Sequence, residues 1–466
     1  MKKATAMDTL ISLAKRRGFV FQGSEIYGGM AGIYDFGPYG VELLNNIKKS
    51  WWKANVQDRD NYVGIDSAIF KDPRVWIASG HVGGFSDPLA ECKVCNTRIR
   101  VDKELAKIGV VADEKMSEAA LNELFDAHRH EIKCPECGKT DFSNVKAFNL
   151  LVKSNLGDFT SEGSAPVYLP GEACQGIYLN FKHVVDTTRM QVPFGIAQIG
   201  KAFRIEISPR NFLFRTREFE QADTQFFVKP AENKEAYDRI KAERWNWYLS
   251  LGISEGNLRW KQHENLVFYA KDAWDIEYNF PTYGFDEVEG IHDRTDYDLT
   301  QHTQHSGTDL RYTDPHTAEK YIPWILETSM GLGRVFLAVL SDAYTEEGEG
   351  DDARTVLKLA PQLAPITCAV FPLLKNKPEL VAKAQEVYVQ LRKKFRCEFD
   401  DNGNIGKRYR RQDEIGTPWC IVIDFDTLGE HPELENTVTI RDRDTGAQER
   451  VAIADLESYI ASRLVS

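Results

Sequence analysis

Arg204, Glu206, Arg215, Arg217 and Phe219 sit in two short runs, Gly-Lys-Ala-Phe-Arg-Ile-Glu-Ile-Ser (200–208) and Phe-Leu-Phe-Arg-Thr-Arg-Glu-Phe-Glu (212–220). A period of two puts Arg204 and Glu206 on one strand face, with Phe203, Ile205 and Ile207 on the other. In the second run Arg215, Arg217, Phe219, Gln221 and Asp223 share a face. Ser208-Pro209-Arg210-Asn211 is a turn signal between them. The expected hairpin has guanidinium groups, a carboxylate and a ring on one wall. Such a wall suits a nucleoside triphosphate, with planar cations for phosphate, a ring for the base and an acceptor for its exocyclic amine. A surface hairpin with solvated ion pairs, which contribute little, uses the same residue types.

Three other segments carry compatible chemistry. In Trp324-Ile-Leu-Glu327-Thr-Ser329-Met-Gly331-Leu-Gly333-Arg334, residues Ile325, Glu327 and Ser329 share a strand face. A helix then starts near Arg334, where its N-terminus and the guanidinium both favour phosphate. Pro170-Gly-Glu172-Ala-Cys-Gln175-Gly176 brings a carboxylate and a carboxamide to a glycine where backbone must pass close to something. In Asp286-Glu287-Val288-Glu289-Gly290-Ile-His292, Glu287 and Glu289 share a strand face and suit Mg²⁺ bridged to a triphosphate. His292 reads as a hydrogen-bonded structural histidine. Each segment alone also fits a polar turn or a packing glycine.

Four of the eight cysteines form two Cys-x-x-Cys pairs, Cys92/Cys95 and Cys134/Cys137. This is the spacing of a closed, structural zinc site with four thiolates; four free thiols are the alternative. The other cysteines are scattered and read as buried thiols.

The elements that must position these groups follow from periodicity. Residues 7–17 read as a helix ended by Gly18, and a second helix carries Val41, Leu44, Ile47 and Trp51 on one face. Composition changes between about 90 and 140, as in an insertion filled with charged helix. Residues 145–340 read as a large mixed sheet with helices, one of them 232–251. Glu346–Asp352 is acidic and glycine-bearing, as in a linker or exposed loop. From about 362 strands and helices alternate: a strand 365–371, a helix carrying Leu380, Ala384, Val387, Leu391 and Phe395, strands 417–424 and 437–442, and a closing helix 453–463. The net charge of −12 argues against indiscriminate coating of nucleic acid. Local basic patches remain, Arg392–Arg396 and Lys407–Arg411. No apolar run approaches a membrane span, and Met1–Asp8 lacks the apolar core of a secretory signal, so cytoplasmic residence is expected.

Taken in order, these segments resemble a class II aminoacyl-tRNA synthetase, and within it glycyl-tRNA synthetase of the homodimeric type. Arg16-Arg-Gly-Phe-Val-Phe-Gln-Gly-Ser-Glu-Ile-Tyr-Gly-Gly is similar to that family's opening. Asp35-Phe-Gly-Pro38…Trp51-Trp52 resembles its motif 1, the dimer-forming element. Pro73-Arg-Val-Trp76…Ser79-Gly-His…Phe85-Ser-Asp-Pro also matches. Arg204–Glu220 resembles motif 2, Gly331–Arg334 opens motif 3, and 365–460 is similar to the anticodon-binding domain.

The resemblance implies an α+β fold: an antiparallel-sheet catalytic domain (1–90 and 141–345), a zinc-binding insertion (91–140), a linker (346–361) and an α/β anticodon-binding domain (362–466). It implies a ligase that forms glycyl-adenylate from glycine and ATP, then transfers glycine to tRNA(Gly), working as a homodimer with Mg²⁺ and a structural Zn²⁺. Arg204, Glu206 and Arg334 would be catalytic. ATP would meet Arg204, Ile205, Glu206, Phe214, Arg215, Thr216, Arg217, Glu218, Phe219, Glu287, Val288, Gly331, Leu332, Gly333 and Arg334. Glycine would meet Arg100, Glu172, Phe219, Glu220, Gln221, Ala222, Asp223, Glu327, Thr328, Ser329, Met330 and Gly331, with Glu172, Asp223 and Glu327 gripping its ammonium. Cys92, Cys95, Cys134 and Cys137 would hold zinc, and Glu289 would be a further Mg²⁺ ligand. The chain departs from the family pattern at Gly171, Ala173-Cys174, Thr328, Gly333 and Asp223, the last standing for a glutamate. Two other readings stay open: a noncatalytic nucleic-acid-binding relative on the same scaffold, and a ligase for another small amino acid.

Overall fold

A seven-stranded sheet carries the expected motifs. Its order is Leu258–Gln262, Asp272–Phe280, Gly284–Thr295, Trp324–Gly331, Glu218–Val228, Phe194–Phe203 and Tyr62–Gly64. Neighbours are antiparallel except the last pair, which is parallel. The computed structural model describes residues 7–112, 116–156, 166–207, 209, 212–264, 266, 270–348 and 353–464. Of the expected 208–211 turn, Ser208, Arg210 and Asn211 lie outside these, as do the Met1–Ala6 end and the acidic residues 349–352.

The central strands are apolar on both faces because both are covered. Beneath the sheet, Ala222, Phe226, Leu326 and Met330 pack on Leu332–Ala343, Pro38–Trp52 and Asn233–Ser250. On the upper face, Phe194, Ile196, Phe227 and Ile325 pack against Gln175–Thr188 and Leu299 of Tyr297–Ser306. Along the same face the alternation continues into polar side chains, Gln221, Asp223 and Gln225 on one strand, Glu327 and Ser329 on the next.

The Pro38–Trp52 helix begins earlier than its glycines imply. Gly40 fits because an added Cβ would lie 1.8 Å from the Phe19 carbonyl oxygen. Its buried face is Gly40, Leu43, Leu44, Ile47 and Trp51, while Val41 is exposed. The cysteine-bearing insertion is wider than 91–140. Strands Ser86–Glu91, Arg98–Arg100 and Lys146–Asn149 form its sheet, and Ile99, Leu105, Leu121, Phe125 and Phe142 its core.

The segment 346–361 is not a free linker: Tyr344–Glu347 pairs antiparallel with Arg354–Leu357. Beyond it, a five-stranded sheet runs in the order Cys397–Phe399, Cys368–Pro372, Trp419–Ile423, Thr437–Asp442 and Gln448–Ala452. Helices Pro378–Leu391 and Leu456–Leu464 cover one face and Ile405–Ile415 the other. Leu380, Ala384, Val387 and Leu391 are buried as expected, and Phe395 packs from beyond the helix end. Arg354 pairs with Asp413 at 3.0 Å, Arg443 donates to the Leu359 carbonyl at 2.7 Å, and Arg17 pairs with Glu414, so this domain is bolted to the first.

Candidate active site

The paired strands of the 200–220 hairpin stop at Phe203 and restart at Glu218, so Arg204, Glu206, Arg215 and Arg217 lie in the connection and not on the ladder. Main-chain bonds pin that connection. Arg204 N donates to Arg217 O (2.9 Å), Ile205 N to Leu150 O (2.8 Å) and Arg217 N to Gly32 O (2.8 Å). Arg204 Nε donates to the Gly171 carbonyl at 3.0 Å, and its guanidinium lies 5.1 Å from the Phe85 ring centre and 5.3 Å from that of Phe219.

Arg334 stands on the first turn of Leu332–Ala343. It donates to the Phe214 and Glu287 carbonyls (3.1 and 3.0 Å), pairs with Glu287 Oε2 at 3.0 Å and covers the Phe214 ring at 4.3 Å. Burial draws the Arg204 pKa down, Glu172 and Glu206 pull it back up, and Arg334 is close enough to oppose them. Arg204, Phe219, Arg334 and Glu287 therefore form one neighbourhood, a cationic, ring-lined wall. Glu206 is buried and takes a 3.5 Å bond from Arg215, while Arg217 Nε donates to the Glu206 carbonyl at 3.0 Å.

Beside this wall the sheet aligns Gln198, Asp223, Ser329 and Gly290 in one row and Gln225, Glu327 and His292 in the next. The three expected carboxylates differ in their state. Glu172 Oε1 accepts from Gln175 Nε2 at 2.7 Å and lies 3.4 Å from His81 Nε2. Glu327 accepts from Gln225 at 2.9 Å and Arg294 at 3.0 Å, and lies 3.0 Å from His292 Nδ1. Burial would raise its pKa, but Arg294 and His292 outweigh burial and hold it at about 2. Asp223 is fully buried, and neither carboxylate oxygen has a hydrogen-bond partner. Burial pushes its pKa well above the aspartate range; the nearby Ser329 hydroxyl eases this without bonding geometry, and Glu327 and Glu172 reinforce it. A buried carboxylate with no partner from the protein itself suits a cationic ligand.

Several expected contacts face elsewhere. A β-bulge between Glu287 and Glu289 breaks the period of two. Glu287 therefore reaches the cleft, whereas Glu289 is fully buried beneath the sheet in a bidentate pair with Arg244 (2.8 and 3.2 Å), so it is not a Mg²⁺ ligand. Val288 is core. Contiguous runs cannot line one pocket on a strand: Glu220 pairs with Lys48, Thr328 bonds Thr224, and Ala222, Met330 and Leu332 are core below. Glu218 pairs with Lys201, and with Thr216, Gly333 and one side of Phe219 it lines a cavity of about 290 Å³. Arg100 is held by Asp87 (2.9 Å) and Asp102 (2.6 Å), with Glu206 among the charges acting on it.

The expected Gln221 and the unanticipated Gln198 clamp the Ala173 backbone at 3.0 Å each, and the expected carboxamide Gln175 bridges Glu172 and His302. Arg294 joins Asp298 to Glu327 while 3 % exposed, and its Arg-x-x-x-Asp spacing was the available signal. Gly176 is the close approach expected, since a Cβ there would meet Ser67 Oγ at 1.9 Å.

Comparison with known proteins now bears on this arrangement. Residues 158–343 match the family "tRNA synthetase class II core domain (G, H, P, S and T)" and residues 367–463 the "Anticodon binding domain". The chain is 52 % identical over 474 residues to the glycine–tRNA ligase of Clostridium acetobutylicum, covering 100 % of both chains. It is 50 % identical to that of Clostridium tetani (98 % of each) and 47 % to that of Caldanaerobacter subterraneus subsp. tengcongensis (100 % of each). The chain belongs to the glycine–tRNA ligase family. A crystal structure of prolyl-tRNA synthetase from Cryptosporidium parvum, complexed with halofuginone and AMPPNP, shares the fold: TM-score 0.64 at 15 % identity, over 100 % of this chain and 77 % of that one.

In this glycine–tRNA ligase family member the cysteine pairs converge. Cys92 Sγ lies 3.6 Å from Cys137 Sγ and Cys95 Sγ 3.5 Å from Cys134 Sγ, with all four within 4.8 Å of one another. Two equivalent knuckles present them: Asn96 N bonds Cys92 O and Gly138 N bonds Cys134 O, with Asn96 and Gly138 left-handed (φ 60° and 71°). A tetrahedral ion with sulfur at about 2.3 Å fits these separations.

The expected basic patch on 407–411 proves to be a helix with divided duties. Arg408 is 1 % exposed and donates to the Asp401 and Gly403 carbonyls (3.0 and 2.8 Å), and Arg411 pairs with Asp400. Lys407 and Arg410 are exposed. No described helix is long and apolar enough to cross a membrane.

Proposed function

We propose that this chain joins glycine to tRNA(Gly) in two steps, and that the open Asp223 carboxylate is the seat of the glycine ammonium. Glycine offers no side chain to read, so recognition rests on its charge and its smallness. Glu172 and Glu327, already engaged, shape the field around that seat. The glycine carboxylate attacks the α-phosphorus of ATP, the bond to the bridging oxygen breaks, and pyrophosphate leaves. Arg204 faces the α-phosphate, Phe219 stacks on adenine, Glu206 accepts from its amine, and Arg334 holds the γ-phosphate. Mg²⁺ bound to the triphosphate would supply further charge neutralisation, and Glu287 is the carboxylate placed to hold it. The tRNA 3′-terminal hydroxyl then attacks the glycyl carbonyl and releases AMP. No nucleophilic side chain is needed.

ATP–pyrophosphate exchange with glycine, alanine and serine tests this reading. Glycine alone should support exchange. Exchange with alanine and not glycine would make the chain a ligase for another amino acid, and none with any would make it a binding module.

The four-thiolate site is assigned structural Zn²⁺. Stripping the metal should unfold the 86–149 unit and lower the thermal midpoint, because binding energy there is folding energy; thermal scans with and without a strong chelator check this, and unchanged scans would remove the metal. The C-terminal domain is assigned to tRNA. Its interface with the first domain makes deletion a blunt test, so charge reversal at exposed Lys407 and Arg410 is preferable. It should cut tRNA charging roughly tenfold, about one phosphate contact's worth per residue, and leave pyrophosphate exchange intact. A homodimer is also proposed. Ile26 and Tyr27 are 90 % and 87 % exposed, with Met30 three residues on also exposed, and so much apolar surface favours a partner. The cytoplasm, where translation runs, is its expected location.

A further inference from the structure

Bordering the ammonium seat, where His292 meets Glu327, stands a second group of metal-ligating side chains. His263, Asp275 and His292 bring one ligand atom each to within 4.8 Å of one another. We propose that these three residues form a binding site for a divalent transition-metal ion of the Zn²⁺ class.

The geometry is that of a built site. His292 Nδ1 lies 3.0 Å from Glu327 Oε2, which leaves Nε2 free to ligate and fixes which nitrogen does so. An imidazole oriented by a carboxylate on its far nitrogen is the usual outer-shell support of a metal-bound histidine. His263 Nε2 lies 2.7 Å from Asp275 Oδ2, and the His263 main chain is held by a 3.0 Å bond from its N to Ala273 O. Opposite Asp275 the neighbouring strand carries Gly290. A Cβ at that position would sit 2.9 Å from His292 Nε2 and 3.6 Å from Asp275 Oδ1, so the missing side chain leaves space where two ligand atoms point. Ligands at about 2.0–2.1 Å from an ion lie within about 3.5 Å of each other in a tetrahedron, so atoms already within 4.8 Å of one another have little distance to close. Two imidazoles and one carboxylate select Zn²⁺, Co²⁺ or Ni²⁺ over Mg²⁺. They leave at least one position for water.

The ion would hold His292 as the tautomer that donates from Nδ1 to Glu327, and so tie occupancy to the amino-acid pocket. That link rests on the proposed function; the binding itself does not.

Cobalt loading tests the site in the full-length protein without ATP. Wild type should bind one more equivalent of Co²⁺ than His263→Ala, and that extra ion should show d–d bands without thiolate-to-cobalt charge transfer, which separates it from the cysteine site. His263→Ala should weaken the extra ion by at least ~100-fold, above the ~10–100-fold cost of losing an outer-shell partner. His263 is partly exposed, so folding is not at stake; Gly290→Ala, which fills the space and keeps every ligand, should lose the same ion. Equal stoichiometry in wild type and His263→Ala would overturn the proposal. So would an extra ion that binds only once ATP is present, since that ion would belong to the nucleotide.

Discussion

Replacing Arg204 by alanine should lower glycine-dependent pyrophosphate exchange by on the order of 10³-fold while the protein stays folded. In the proposed reaction Arg204 is the cation nearest the phosphorus under attack, and removing one preorganised donor of this kind costs about 10²–10³ in rate. The low-dielectric setting enlarges the effect, because Arg204 is packed between the Phe85 and Phe219 rings and burial already draws its pKa down. Arg204→Lys should recover little, since a lysine cannot keep the bond to the Gly171 carbonyl and stack between two rings at once. Single-turnover adenylate formation is the measurement, with circular dichroism as the control for folding. Exchange within a few fold of wild type in a folded Arg204→Ala protein would remove this residue from the chemistry.

The wall was legible in the sequence because its residue types are costly to keep together without a ligand. The differences between expectation and structure originate in periodicity. A period of two extends the ladder through Arg204 and Arg217, whereas the strands end at Phe203 and restart at Glu218; the side chains still converge, because Gly32, Leu150 and Gly171 pin the connection from distant parts of the chain. Glu289 was misplaced by a single extra residue: the bulge turns it under the sheet, where Arg244 neutralises it. Arg294, Gln198 and Gln225 are hidden in the sequence because a buried polar residue and a solvated one look alike until long-range pairing sets burial. Arg408 shows the reverse error, a residue in a basic run that serves as an internal clamp on loop carbonyls.

Asp223→Asn should raise the KM for glycine by roughly 10²–10³-fold and at the same time make the empty protein more stable. Loss of one partner of a buried charge pair costs about 3–5 kcal/mol, and each 1.4 kcal/mol is about tenfold. Asp223 is the only one of the three pocket carboxylates with both oxygens unpartnered, so the ammonium loses more here than at Glu172 or Glu327. The stability effect has the opposite sign because the open carboxylate is itself a cost, and an amide of the same shape removes a charge that nothing in the empty site balances. The pH dependence follows from the direction of the shift. The Asp223 pKa is raised on folding, so the folded protein carries no penalty below the ordinary aspartate range and is progressively destabilised as pH rises from that range towards the raised value. Glycine binding runs the other way: it needs the carboxylate, displaces the proton, and tightens with rising pH until the raised pKa is passed. Asp223→Asn should flatten both profiles. Calorimetric titration of glycine and thermal scans across pH read the two together. Loss of binding accompanied by loss of stability would mean that Asp223 merely holds the sheet, and that the ammonium sits elsewhere.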